Sequence, residues 1–450
     1  MRLRTILAVY AAKLTSLLIK LLRRGAGATL PGYAAYKIDP NILSVMSKMV
    51  SKQTIVVMGT NGKTTTNSIL NHVLSTQGKT VISNRTGANM QNGIIAAFAL
   101  SADWKGRIHT DYACIEVDEN ESINVLSKLK PDCIIVTNLS RDQLDRYGEV
   151  DLVRSKVQAA IASVPDALLI LNSDDVISYA MSYDCPNPVI TYGIGEQIFD
   201  SRAGAGSRES IFCSRCGAKL EYDIFYYGHL GIWHCPNCSA DHPAPNWLAT
   251  DITQDDEENY AFHVGDVRIQ TNAHAPYNVY NTLAAFSALC TLRIIEPSAA
   301  ADAIRSFNYQ NNRELIVHIN GSRFQLHLSK NPIGFQQKIS LVLKDSKPKD
   351  VIIQINDTAQ DGKDISWLWD VDFQFLADAN AASITLAGSR RYDMGLRLKY
   401  EDIPHSFTTD MRQTIQTLAA TGTGNVFIIV NYSGLYQVNQ MLKELESQHS

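Results

Sequence analysis

Gly59-Thr60-Asn61-Gly62-Lys63-Thr64-Thr65-Thr66 decides the reading of this chain. It follows an apolar run, Thr54-Ile55-Val56-Val57-Met58, with the composition of a buried strand. It precedes Ser68-Ile69-Leu70-Asn71-His72-Val73-Leu74, whose apolar residues have helical spacing. Strand, glycine-rich turn and helix form the layout of a phosphate-binding loop. Backbone N–H groups of the turn and of the helix N-terminus point at the anion. In that layout Lys63 neutralises phosphate and the Thr64 hydroxyl reaches Mg²⁺. The loop is shorter than the GxxxxGK[ST] spacing, and the alternative is an ordinary glycine-containing strand–helix turn.

Outward from the loop, strand-like runs alternate with helical ones from about residue 42 to 305. Thr54–Met58, Tyr112–Val117, Asp132–Asn138 and Ala167–Leu171 read as strands, which predicts a mostly parallel sheet with helices on both faces. Ligands of such sheets bind at the carboxyl ends of the strands. Glu116, Asp118 and Glu119 follow one such end. Glu116 is the candidate ligand for a Mg²⁺ bridging nucleotide phosphates, against the plainer reading of a solvated strand-end acid. Thr137 to Gly148 places polar groups after another strand, where ordinary loop chemistry explains them equally well. Tyr277-Asn278-Val279-Tyr280-Asn281 precedes Thr282-Leu283-Ala284-Ala285, and Asn281 reads as a helix cap or a base contact, the cap being favoured.

A segment of about residues 206–241 interrupts the alternation. Within it, Cys213-x-x-Cys216 and Cys235-x-x-Cys238 are separated by eighteen residues. Two such knuckles suit a tetrahedral ion, and four thiolates favour Zn²⁺ over iron. With every position filled by protein, that zinc is structural. His229 and His234 read as solvated or supporting residues rather than ligands. A nucleic-acid-binding ribbon is disfavoured, because Glu221, Asp223, Tyr226 and Tyr227 are not basic. The other cysteines are scattered, which suits a reducing compartment and not a disulfide framework.

Beyond a polar stretch at Ser306 to Asn312, Asp350–Asn356, Ser383–Ala387 and Asn425–Asn431 read as strands and Met411–Ala420 as a helix, so a second, smaller α/β domain is expected. Asp357, Asp361, Asp364, Asp370 and Asp372 cluster after the first of these strands with Trp367 and Trp369, as on a functional loop.

The 450 residues are 45% hydrophobic, enough for more than one core, and a formal charge of −4 argues against an extended nucleic-acid surface. No apolar stretch is long enough for a transmembrane helix. Near the N-terminus, Leu3, Ile6, Leu7, Tyr10, Leu14, Leu17, Leu18 and Leu21 recur at helical period among basic residues. This helix either packs on the next domain, the favoured reading, or lies on an anionic membrane surface.

Together these strings resemble the Mur ligase superfamily, and specifically its MurT family, over nearly the whole chain. The likeness includes Gly59–Thr65, Gly87-Ala88-Asn89-Met90, the Glu116 strand, Thr137–Gly148, the cysteine ribbon and Tyr277–Ala285. It continues through Lys330-Asn331-Pro332-Ile333-Gly334 and Asp361-Gly362-Lys363-Asp364-Ile365-Ser366-Trp367-Leu368-Trp369-Asp370. The fold it implies is α/β: a Mur ligase-like central P-loop ATPase domain (42–305) with a Cys₄ zinc-ribbon insertion, after an amphipathic helix and lead-in (1–41). A smaller C-terminal α/β Rossmann-like domain follows (313–450).

The implied activity is ATP-dependent amidation of the D-glutamate of lipid II to D-isoglutamine, in the cytoplasm or at the inner face of the plasma membrane. A GatD-like glutaminase subunit would supply ammonia within a heterodimer. By position, Gly59, Thr60, Asn61, Gly62, Lys63 and Thr65 would hold ATP phosphates, with Thr64 and Glu116 on Mg²⁺ and Asn281 toward adenine. Arg313 lies where relatives carry a nucleotide contact, although the junction here reads Asn311-Asn312-Arg313-Glu314. Cys213, Cys216, Cys235 and Cys238 would hold zinc, and Asp364 would complete the partner's Cys–His pair. Two other readings stay open: an autonomous Mur-type amino-acid ligase, and a ribbon module without catalysis, which intact Lys63, Thr64 and Glu116 disfavour.

Overall fold

The computed structural model describes residues 3–22, 28–84, 88–140, 150–199, 212–256, 259–309, 314–358 and 361–449. Two large sheets carry the chain. The first contains β1 (Gln53–Met58), β2 (Val81–Ser83), β3 (Tyr112–Glu116), β4 (Cys133–Val136), β5 (Leu168–Asn172) and β6 (Val189–Ile194). The hairpin β7 (Glu221–Tyr227) and β8 (Leu230–His234) stands apart. The sheet then resumes with β9 (Trp247–Gln254), β10 (Tyr260–Val264) and β11 (Val267–Gln270). Its spatial order is β11-β10-β9-β6-β5-β4-β1-β3-β2. β9 through β2 are parallel and β10 and β11 are antiparallel.

β1 lies at the switch in strand order. The chain leaves it for β3 and β2 on one side and β4 on the other, which opens the crevice where α/β sheets bind ligands. Side chains alternate across β1. Val56 and Met58 pack with Ile115, Ile134 and the helix Gln91–Ser101, while Ile55 and Val57 pack with Cys114, Ile135 and the helices Lys63–Thr76 and Tyr277–Thr291. Burial on both faces explains why the inner strands read as continuous apolar runs.

The second sheet contains β12 (Glu314–Ile319), β13 (Ser322–Leu328), β14 (Lys349–Gln354), β15 (Ala381–Ala387), β16 (Ser406–Phe407) and β17 (Asn425–Val430), in the order β12-β13-β17-β14-β15-β16. β12 is antiparallel to β13 and the rest are parallel. Phe335 and Ile339 cover one face, and Ile415, Leu442 and Leu445 the other.

The N-terminal helix, Leu3–Leu21, does pack on the central domain, but through the face opposite to the leucines. Thr5, Ala8, Val9 and Ala12 are buried, while Leu3, Leu7, Leu14, Leu17, Leu18 and Leu21 are exposed. Small side chains let its backbone approach the neighbouring helices, and Thr5 Oγ1 donates to Asp39 Oδ2 at 2.6 Å. No helix among the described residues is long and apolar enough to cross a membrane.

The β7–β8 hairpin is anchored on the end of β5. His229, expected to be solvated or merely supporting, is wholly buried with Nε2 2.8 Å from Asp175 Oδ1, and Trp233 Nε1 donates to Ser173 O at 3.2 Å. Burial opposes the Asp175 charge, but His229, Ser178 and the Leu139 amide hold its carboxyl below the usual value of 3.8. That contribution to stability is present above the ordinary carboxylate value and is lost as pH falls through the depressed one.

Candidate functional site

The phosphate loop joins β1 to the helix Lys63–Thr76. Gly59 and Gly62 have φ of 123° and 88°, conformations that side chains disfavour. Gly62 precedes the first helical turn without any side-chain cap, so the early helix amides are free to face a ligand. The loop is braced from β4. Thr60 N donates to Asn138 O at 2.7 Å and Asn61 N to Asn138 Oδ1 at 3.0 Å. Thr137 Oγ1 donates to Asn61 O at 2.6 Å and Ser140 N to Thr60 Oγ1 at 2.9 Å. Thr137 to Ser140 are thus the scaffold of the loop, a role that sequence reasoning left as ordinary loop chemistry; the remainder of that motif, from Arg141 to Gly148, lies outside the described residues.

A Cβ on Gly62 would stand 2.1 Å from Asn281 Oδ1. Gly62→Ala is therefore expected to destabilise the fold by about 1–3 kcal/mol, combining left-handed strain with overpacking. Nucleotide affinity should fall at least about tenfold, because the loop amides must shift. Thermal unfolding together with nucleotide titration checks both.

Charge converges on the same point. Lys63 is buried, with Nζ 2.7 Å from Glu119 Oε1; that oxygen also accepts from Gly59 N at 3.0 Å. Burial works against the lysine charge, but Glu119, Asp118 and Glu116 outweigh it and Lys330, leaving the pKa above 10.5. Thr64 Oγ1 donates to Glu116 Oε2 at 2.7 Å, and Asn89 Nδ2 donates to Glu116 Oε1 at 3.1 Å. A hydroxyl and a carboxylate in contact form the oxygen donor set that Mg²⁺ takes, so the residues present fit that ion. Glu119 was visible only as an acid after a strand; that it pairs with Lys63 follows from the turn after β3.

Asn281 is not a cap. The helix Tyr277–Thr291 begins four residues earlier, and Asn281 sits in its second turn, buried against Gly62. Its Nδ2 donates to Asn278 Oδ1 at 2.9 Å.

The second domain reaches the loop through Asn331. This residue caps the helix Pro332–Lys344 by accepting from Gly334 N at 2.8 Å, and its Nδ2 donates to Asn61 Oδ1 at 3.2 Å. Between the domains is a cleft open to solvent, lined by Asn61, Gly62, Thr65, Asn278, Asn281, Ser329, Lys330 and Lys338 among others. Arg313 lies outside the described residues. Asp364 is half-buried and accepts from Ser366 N at 2.8 Å; among the described residues no hydrogen bond or ion pair joins it to the phosphate loop.

The four ribbon cysteines meet. Cys213 and Cys238 sulfurs are 3.7 Å apart, Cys216 and Cys235 sulfurs 3.4 Å, and all four lie within 4.8 Å of one another. A tetrahedral ion with Zn–S bonds of about 2.3 Å places its sulfurs about 3.8 Å apart. The Ala218 amide, helped by Asn237 and Cys235, lowers the Cys216 thiol to about 6. The cluster fits a metal held by four thiolates, and neither His229 nor His234 belongs to it.

The Mur ligase middle domain family matches residues 57–225, and the MurT ligase C-terminal family matches residues 328–435. The chain is 27% identical over 445 residues to the lipid II isoglutaminyl synthase (glutamine-hydrolyzing) subunit MurT of Streptococcus pneumoniae, covering 98% of each chain. It is 29% identical over 378 residues to the subunit of that name from Staphylococcus aureus, covering 84% of each.

Over nearly its whole length the chain is similar to MurT subunits.

Solved Mur ligase structures share its fold. MurF from Acinetobacter baumannii superimposes with a TM-score of 0.66 at 14% identity, covering 92% of this chain and 80% of that one. A pseudomurein peptide ligase type C from Methanothermus fervidus gives 0.66 at 20% identity, covering 88% and 79%. The loop, the Glu116 strand end and the second domain's Asn331 thus sit on a Mur ligase-like fold, with the hairpin of the cysteine ribbon at the carboxyl end of β5, beside Ile333 of the second domain.

Proposed function

We propose that this chain is the synthetase subunit of a lipid II isoglutaminyl synthase, an ATP-dependent carbon–nitrogen ligase of peptidoglycan biosynthesis. The observation that carries the reading is its relationship to a MurT over 98% of both chains. We divide it into a lead-in (1–41), a central ATP-binding domain (42–305) and a C-terminal domain (313–450).

A carboxylate is a poor electrophile, so amidation needs an activated form. ATP would supply the γ-phosphoryl group. The D-glutamate α-carboxylate oxygen bonds to phosphorus as ADP departs, giving an acyl phosphate. Ammonia then attacks the carbonyl carbon, phosphate leaves, and the nitrogen loses a proton. In our reading the amides of Gly59–Thr65 and the Lys63 ammonium neutralise the phosphates, and Thr64 with Glu116 holds Mg²⁺. Asn281 and Arg313 serve the nucleoside side, and the cysteines hold structural zinc. Glu119 keeps Lys63 charged and in place.

The ammonia would come from a GatD-like glutaminase, with Asp364 completing its Cys–His pair. The exposed Lys363 and Trp369 and the half-buried Asp364 on one loop support a role in meeting a partner. Mass spectrometry of lipid II incubated with ATP and Mg²⁺ tests the whole reading. Amide is expected with ammonium alone, and with glutamine only when the glutaminase is present. Mass gain only on adding free amino acids would sink the reading in favour of an autonomous ligase. Asp364→Asn is expected to cut the glutamine-dependent rate at least about 10²-fold while leaving the ammonium-dependent rate within about twofold.

A further inference from the structure

The N-terminal helix presents two faces of opposite use. With about 100° per residue, the buried Thr5, Ala8, Val9 and Ala12 occupy an arc of roughly 100°. Leu3, Leu7, Tyr10, Leu14, Leu17, Leu18 and Leu21 occupy an arc of the same order centred about 180° away. Packing on the central domain therefore turns the leucine ridge outward. Leu3 is 73% exposed, Leu14 54%, Leu18 58% and Leu21 71%. Tyr10 extends the ridge by packing on Trp104, itself 57% exposed, with ring centroids 5.1 Å apart.

Charge complements the ridge. Residues 1–38 contain Arg2, Arg4, Lys13, Lys20, Arg23, Arg24 and Lys37 and no aspartate or glutamate, in a chain whose net charge is −4. Lys13 and Lys20 fall along one edge of the ridge and Arg4 along the other; Lys20 is exposed, while Arg4 Nε donates to Ile38 O and Lys13 Nζ to Leu100 O at 3.4 Å, which holds these two cations at the border of the apolar face. Lys13 Nζ also stands 5.1 Å from the Trp104 ring centre. A leucine ridge with a Trp–Tyr pair at its border and cations on both edges matches an anionic bilayer surface. A second copy of this chain would set like charges edge to edge.

We propose that the outward face of the helix Leu3–Leu21, with Tyr10 and Trp104, docks this protein on an anionic lipid surface. The helix lies in the plane of the interface, its small-residue face still seated on the central domain. This inference does not depend on the amidation reading, and its test measures no catalysis.

Flotation with phosphatidylcholine vesicles, with and without phosphatidylglycerol, decides it. The full-length protein is expected to float with the anionic vesicles and to be released in part by high salt. The triple variant Leu7→Glu/Leu14→Glu/Leu18→Glu alters only exposed positions, so its circular dichroism and melting temperature should match wild type. Its partition to anionic vesicles should fall at least about tenfold. Wild type that remains unbound with both vesicles overturns the proposal, as does a folded triple variant that floats as well as wild type. Loss of self-association in that variant, without flotation of the parent, would assign the ridge to a second copy instead.

Discussion

Replacing Lys63 by alanine is expected to lower ATP-dependent amidation by at least about 10²–10³-fold, the scale of losing one preorganised charge at a transferring phosphoryl group. The same substitution should also destabilise the protein. Lys63 and Glu119 are both buried and 2.7 Å apart, so removing one partner leaves an uncompensated charge at a cost of about 3–5 kcal/mol. The two effects can be separated. Lys63→Met/Glu119→Gln removes both charges, and should recover most of the melting temperature without recovering amidation. A double variant that regains activity would remove Lys63 from the phosphate site. The pH dependence has a definite sign. The folded-state lysine pKa lies above its ordinary 10.5, so the stabilising contribution is complete below that value and disappears only as pH rises through the higher one.

Stripping the cysteine cluster should have the next largest effect. A structural zinc site contributes on the order of 10 kcal/mol to its local fold, and the β7–β8 hairpin is too small to stand without it. One metal ion per chain is expected by elemental analysis, and Cys213→Ser/Cys235→Ser should remove it. Loss of the ribbon then withdraws His229 from Asp175 and Trp233 from Ser173. Asp175 Oδ2 also accepts from Leu139 N at 2.8 Å, one residue beyond the Asn138 that braces Thr60 and Asn61. The metal-free protein should therefore melt lower and bind nucleotide more weakly, although no ribbon cysteine is in the phosphate loop. Metal analysis that finds no ion in protein purified without chelator would remove the assignment. A melting temperature unchanged on metal loss would show the ribbon to be independent of the sheet.

Much of the site was legible because its chemistry is contiguous in sequence. The phosphate loop needs one strand end, two glycines, a lysine and a helix start, all within a few residues. The cysteine cluster needs only two knuckles of fixed spacing. β1, β3, β4 and β5 were recognisable because burial on both faces makes each a short apolar run. The edge and near-edge strands were not. β2 spans three residues and β16 two, and such strands owe their existence to hydrogen bonds from a neighbour rather than to their own pattern. β9 to β11 alternate polar and apolar residues after the insertion, which obscured their return to the sheet.

The sequence by itself determined the local chemistry: a loop shaped for phosphate, a carboxylate beside it and a four-thiolate knuckle. Only the tertiary structure decided which groups meet. It set Glu116, already the candidate acid, against the Thr64 hydroxyl, and it paired Lys63 with Glu119, which nothing in the sequence distinguished from Asp118. It moved Asn281 from a helix cap to the wall behind Gly62, and it brought Asn331 across from the second domain. It also turned the N-terminal helix over, burying alanines where the leucine pattern had suggested the packing face. The physical reason is common to all four. Periodicity and composition report what a segment can bury or bind, but the partner is set by packing between elements far apart in the chain. A close-packed neighbour can select a small-residue face for backbone approach and leave the more apolar face for something outside the molecule.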